Sequence, residues 1–184
     1  MRRKLIAVVG YAHLEENSLC YVAAMELGRV LVEHGYRVLT GGLGGVMEAS
    51  MRGARQAEAY REGDTVALLP SFDPAAANDY ADIVIATGTD VYRNAMVANA
   101  DAVIVLGGGA GTLSEISYAW HLCRPILAYR NMGGWGAALA DRALDTRKRC
   151  EDPDDKLFGV TTAQEAIALL EQKLPLYNHR PAHL

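Results

Sequence analysis

Apolar residues in this chain come in short unbroken runs. Between the runs lie longer stretches in which apolar positions recur every three or four residues. The runs are "LIAVV" (5–9), "RVLT" (37–40), "TVALL" (65–69), "DIVIA" (82–86), "AVIVL" (102–106) and "PILAY" (125–129). Runs apolar at every position, rather than at every second one, predict strands covered on both faces. The periodic stretches predict helices at about 18–34, 45–59, 91–99, 112–123, 135–146 and 163–173. Strictly alternating strands and helices with buried strands imply an α/β fold. It is a doubly wound, mostly parallel sheet of about six or seven strands.

The first helix illustrates the covering. Asn17 or Ser18 can cap it and Gly35 can end it. Glu26, Arg29 and Glu33 share an exposed face, whereas Ala23, Leu27, Val30 and Leu31 fall on the side that meets the sheet. The last helix opens with Thr162-Ala-Gln-Glu165, a capping box. After Pro175 the segment "LYNHRPAHL" has no period. It is expected to stay loose or to pack on a neighbour. Nothing breaks the pattern into two units, so residues 1–184 read as one domain.

Composition narrows the class. There are 18 basic and 22 acidic residues, and no basic stripe, which argues against nucleic acid as a partner. Arg147-Lys148-Arg149 is answered at once by Glu151, Asp152, Asp154 and Asp155, and reads as a solvated, self-neutralising loop. The three cysteines, Cys20, Cys123 and Cys150, lie far apart, as suits a reducing compartment. "MRRKLIAVVGYA" has the charge pattern of a signal peptide, but its apolar run stops at Gly10, short of the roughly 7–15 residues required. No run approaches the roughly 18 apolar residues of a membrane span. A cytoplasmic protein without a membrane partner is expected.

In a parallel sheet the helices begin near the carboxyl ends of the strands, and ligands bind along that edge. Four segments must therefore meet there: Gly10-Tyr11, "GGLGG" (41–45), "TGTDVYRN" (87–94) and "GGGAGT" (107–112). Two of these are glycine loops that lead into helices. They are either tight turns or anion sites, in which phosphate oxygens reach bare backbone N–H groups. Neither matches a dinucleotide fingerprint, because Met47 and Ser114 stand where a third glycine is required. No GK[ST] sequence and no candidate Schiff-base lysine is found, no resident cofactor is expected, and no residue spacing suggests a metal site.

Two charged residues on this edge have competing readings. Thr112-Leu-Ser-Glu115 is itself a T-x-x-E capping box, which would turn the Glu115 carboxylate back to the Thr112 N–H. Alternatively Glu115 faces the ligand. Arg93 lies near a helix start, where a cation opposes the dipole; it either pairs with Asp90 or holds a phosphate bidentately. His13 can reach the same edge, whereas His121, six residues from Glu115, lies on another helix face.

The stretches "LTGGLGGVMEASMRGA" and "VYRNAMVANADAVIVLGGGAGTLSEI", with "LLP" ahead of "DIVIATG", resemble the Lonely Guy superfamily over residues 4–170. That superfamily has a modified Rossmann fold and was once labelled lysine decarboxylase. The chain is most similar to its small bacterial branch near the molybdenum-cofactor carrier and DNA-processing-related proteins. The resemblance implies a ligand site at Gly10, Gly41, Gly42, Gly44, Gly45, Val46, Met47, Gly107, Gly108, Gly109, Ala110, Gly111 and Thr112. It implies a catalytic pair, Arg93 and Glu115. The implied activity is that of a nucleoside 5′-monophosphate phosphoribohydrolase. The alternative is a non-catalytic carrier or sensor of molybdopterin or a nucleotide. A homodimer or higher homo-oligomer is implied as well. The cytokinin-activating members carry Arg-Lys and Pro where this chain has Arg93-Asn94 and Gly107.

Overall fold

In the computed structural model, which describes residues 2–177, seven strands form one sheet. They are β1 (Leu5–Gly10), β2 (Arg37–Thr40), β3 (Thr65–Leu69), β4 (Ile83–Ala86), β5 (Ala102–Leu106), β6 (Ile126–Tyr129) and β7 (Leu157–Val160). The helices are α1 (Leu19–Glu33), α2 (Val46–Arg55), α3 (Asn94–Ala98), α4 (Ala110–His121), α5 (Gly134–Leu139) and α6 (Ala163–Lys173). The strand order is β4-β3-β2-β1-β5-β6-β7, and every neighbouring pair is parallel. The chain works outward from β1 through β2 to β4, then returns to the other side of β1 with β5. The order therefore reverses between β1 and β5, whose carboxyl ends lie side by side in the pairing Gly10 with Leu106.

The unbroken apolar runs divide by the two-residue period of a strand. Ile6 and Val8 of β1, with Ile104 and Leu106 of β5, pack in one core with Leu27 of α1, Met51 of α2 and Ile167 of α6. Ala7 and Val9, with Val103 and Val105, pack in the other with Val97 of α3 and Ile116 and Trp120 of α4.

The predicted caps form. Ser18 Oγ accepts from the Tyr21 N–H, and Thr162 Oγ1 accepts from the Glu165 N–H. Arg29 bridges Glu26 and Glu33 at 2.7 and 2.5 Å on the outer face of α1. Leu27, Val30 and Leu31 are buried, and Ala23 packs partly buried against the same core, with Ala24 fully buried beside it.

Several expectations are corrected. Helix α2 stops at Arg55 instead of 59, and α5 stops at Leu139 instead of 146. Beyond α5, Asp141 takes φ +64 because its carboxylate accepts from the Gly159 N–H at 3.1 Å and from Arg130 Nε at 2.6 Å. This ties the segment to β7, which the sequence pattern did not locate. The basic loop is not wholly solvated. The Arg149 side chain is largely buried, with its guanidinium 3.6 Å from the Trp120 ring centroid and 2.6 Å from Asp155. The segment after Pro175 is not loose at its start: Leu174–Tyr177 is a 3-10 turn with Leu174 and Tyr177 buried. The rest of that segment, 178–184, lies outside the described residues. No helix among the described residues is long and apolar enough to cross a membrane.

Candidate functional site

All four predicted edge segments line one cavity of about 280 Å³ at the carboxyl end of β1. Gly10 and Tyr11 come from the end of β1 and Gly41 from the loop after β2. Arg93 and Asn94 come from the turn into α3, and Gly109, Gly111 and Thr112 from the start of α4. Val9, Ala12, Leu43 and Met47 complete an apolar wall, and Glu115 lies on the polar one.

The start of α4 is an open donor set. Gly107 and Gly108 take φ +68 and +93, a turn that β-carbon-bearing residues rarely make. Their carbonyls accept from the Gly136 and Trp135 N–H groups, both at 3.0 Å, so the turn is anchored to α5. Helix α4 begins at Ala110 with Gly109 as its N-cap, and no side chain caps it. Its first N–H groups precede any intrahelical acceptor and carry the positive end of the helix dipole. A β-carbon added at Gly109 would meet nothing within 4 Å, so the space in front of this turn is open. Thr112 Oγ1 donates to the Gly10 carbonyl at 3.1 Å and fixes the turn to β1.

The T-x-x-E motif does not form a capping box. Because α4 starts at Ala110, Glu115 is already in the second turn, and its carboxylate points across to Arg93. Arg93 does not cap or pair with Asp90 either. It ends the 3-10 turn Asp90–Arg93, is 7% exposed, and has Nη1 3.4 Å from Glu115 Oε1. Its Nε is buried without a partner among the described residues. Gly41 makes room for it: a β-carbon there would lie 2.4 Å from Nη1.

Burial governs the electrostatics. Desolvation pushes the Glu115 carboxyl up to about 7, against the opposing pull of the Arg93 charge. Desolvation also lowers Arg93, with Glu115 opposing, yet a guanidinium remains charged at neutral pH. The site therefore offers one fixed cation, one carboxyl poised between its two protonation states, and a set of backbone donors. An anion at α4 can give the loosely held guanidinium the partners it lacks.

Of the residues expected to contact ligand, Gly10, Gly41, Met47, Gly109, Gly111, Thr112, Arg93 and Glu115 line the cavity. Gly42, Val46, Gly107, Gly108 and Ala110 shape it without lining it. Gly44 and Gly45 face an adjoining cleft with His13 and Glu48. The sequence reading missed Val9, Tyr11, Ala12, Leu43 and Asn94 as site residues. Tyr11, Leu43 and Asn94 lie in segments already placed on the sheet edge, which was the signal available for them.

The chain belongs to the SLOG cluster4 family, whose model matches residues 3–167. An uncharacterised protein of Archaeoglobus fulgidus is 41% identical over 120 residues, which are 65% of this chain and 75% of that protein. The structure is similar to that of TM1055, a structural-genomics target, at 33% identity and a TM-score of 0.78, covering 92% of this chain and 99% of that one. It is also similar to the molybdenum cofactor carrier protein of Chlamydomonas reinhardtii. There the identity is 29% and the TM-score 0.72, covering 95% of this chain and 99% of that one. These likenesses agree with the α/β, Rossmann-like architecture described above.

Proposed function

We propose that this protein binds a phosphorylated nucleotide-like small molecule, a nucleoside 5′-monophosphate, at the carboxyl edge of the sheet. The observation that carries the reading is the open, uncapped N-terminus of α4 facing a buried arginine with an unpaired Nε. The phosphate is held by the N–H groups of Ala110 to Thr112 and by Arg93. The heterocycle lies against the apolar wall that includes Leu43 and Met47. A single lining cation suits one phosphate better than a diphosphate or triphosphate.

Glu115 supports a reaction at the sugar. A carboxyl with a value near 7 can accept or give a proton at neutral pH, as acid–base catalysis requires. In a phosphoribohydrolase it would orient water toward the ribosyl carbon as the base departs. Incubation with a panel of nucleoside 5′-monophosphates, read by release of free base, tests this step. Tight binding without release in any form of the protein would favour the second reading, a carrier of a molybdopterin-like phosphomonoester. That reading is supported by the likeness to the Chlamydomonas reinhardtii carrier.

Self-association belongs to the same proposal. Ile83 and Ile85 of edge strand β4, and Val91, Tyr92 and Met96 further along, are exposed apolar side chains that a second copy could cover. A monomer by light scattering at high concentration would contradict it.

A further inference from the structure

Arg93 and Asn94 grip α4 at neighbouring points. Arg93 meets Glu115, and Asn94 Nδ2 donates to Ser114 Oγ at 2.9 Å and lies 3.5 Å from the Gly111 carbonyl oxygen. The Ser114 hydroxyl donates its own hydrogen to that carbonyl at 2.7 Å. Toward Asn94, then, both Ser114 and Gly111 can only accept. This fixes the amide with its nitrogen toward α4 and its oxygen turned away. Among the described residues no donor reaches Asn94 Oδ1. Asn94 is 8% exposed and lines the cavity. The residue is otherwise buried, so its oxygen, accessible and without a protein donor, is an acceptor open to a group in the cavity.

A phosphate cannot supply that donor, since its oxygens are acceptors and would be repelled by the amide oxygen. A ligand donor for it is a group carried close to the phosphate, where the hydroxyls of a sugar lie. We infer that Asn94 Oδ1 accepts a hydrogen bond from a ligand hydroxyl, so that the cavity reads the sugar as well as the phosphate. This rests on the phosphomonoester reading above. It makes Asn94 a specificity residue at the position where the cytokinin-activating members carry lysine.

The test uses two phosphomonoesters on the full chain, ribose 5-phosphate and n-pentyl phosphate, which lacks hydroxyls. Dissociation constants are measured by calorimetry for wild type, Asn94→Ala and Asn94→Asp. Loss of the Ser114 contact affects both ligands alike and cancels in their ratio. The preference for ribose 5-phosphate should fall about five- to tenfold in Asn94→Ala, the scale of one hydrogen bond. Asn94→Asp retains an acceptor, so it should keep the preference even though its charge weakens both ligands. A preference unchanged in Asn94→Ala, or lost equally in Asn94→Asp, overturns the inference and leaves phosphate binding intact. Failure of both compounds to bind wild type overturns the phosphomonoester reading and this inference with it.

Discussion

Replacing Glu115 with Gln removes a buried carboxyl that the fold holds away from its ordinary protonation state. In the unfolded chain this group titrates near 4.5; in the folded protein burial pushes it up to about 7. The folded state therefore binds the proton more tightly. Its contribution to stability is complete below the unfolded value and is lost as pH rises through the folded value. At about 1.4 kcal/mol per pH unit, the rise from 4.5 to about 7 spans about 3–4 kcal/mol. Relative to Glu115→Gln, wild type should lose about that much stability between pH 4.5 and pH 8. Urea unfolding followed by tryptophan fluorescence at four pH values reads the difference directly. A phosphate dianion seated at Arg93 would draw the guanidinium away and raise Glu115 further. Ligand binding near pH 8 should then take up a proton, seen as calorimetric heats that differ between two buffers. Parallel stability curves for the two proteins would refute the reasoning, because they would mean that Glu115 is ionised and solvated in the folded state.

Arg93→Ala should weaken a nucleoside 5′-monophosphate by about 1.5–3 kcal/mol and leave an unphosphorylated nucleoside unaffected, since only the phosphate engages the guanidinium. Gly109→Val has no protein neighbour to strike and no left-handed backbone to strain. It should leave the melting temperature near wild type while excluding the anion, with a loss of binding of at least about tenfold by calorimetry. Arg149→Ala should do the reverse. It leaves the largely buried Asp155 with the Tyr177 hydroxyl but no cation and strips the cation from Trp120, so stability should fall by about 2–4 kcal/mol in denaturant with ligand affinity unchanged.

The sheet was legible because its central strands are covered on both faces, although edge strand β4 leaves Ile83 and Ile85 exposed. Continuous runs such as "AVIVL" are hard to read as anything else, and parallel topology then brings four loops to one edge. Strand β7 was hidden because "LFGV" is short and follows a charged loop. The helix expected through 146 fails for a tertiary reason. Ala140 to Leu144 has helix-forming composition, but Asp141 is drawn into a left-handed conformation by Arg130 and the Gly159 N–H. Glu115 shows the opposite limit. Local spacing made it a capping residue, and only the actual start of α4, two residues before Thr112, turns its carboxylate toward Arg93. Gly41 could be read as a turn residue; that it makes room for a guanidinium from a segment 52 positions later is invisible without the fold.

If the open turn of α4, with Arg93, holds a phosphate, its amides must feel the ligand. A titration of ¹⁵N-labelled protein with a nucleoside 5′-monophosphate, followed amide by amide, tests it most directly. Saturable downfield shifts are expected at Ala110, Gly111 and Thr112, with smaller changes at Gly10 and Gly41. Saturable shifts that leave this turn unmoved and cluster elsewhere, or no shifts at millimolar ligand, would contradict it.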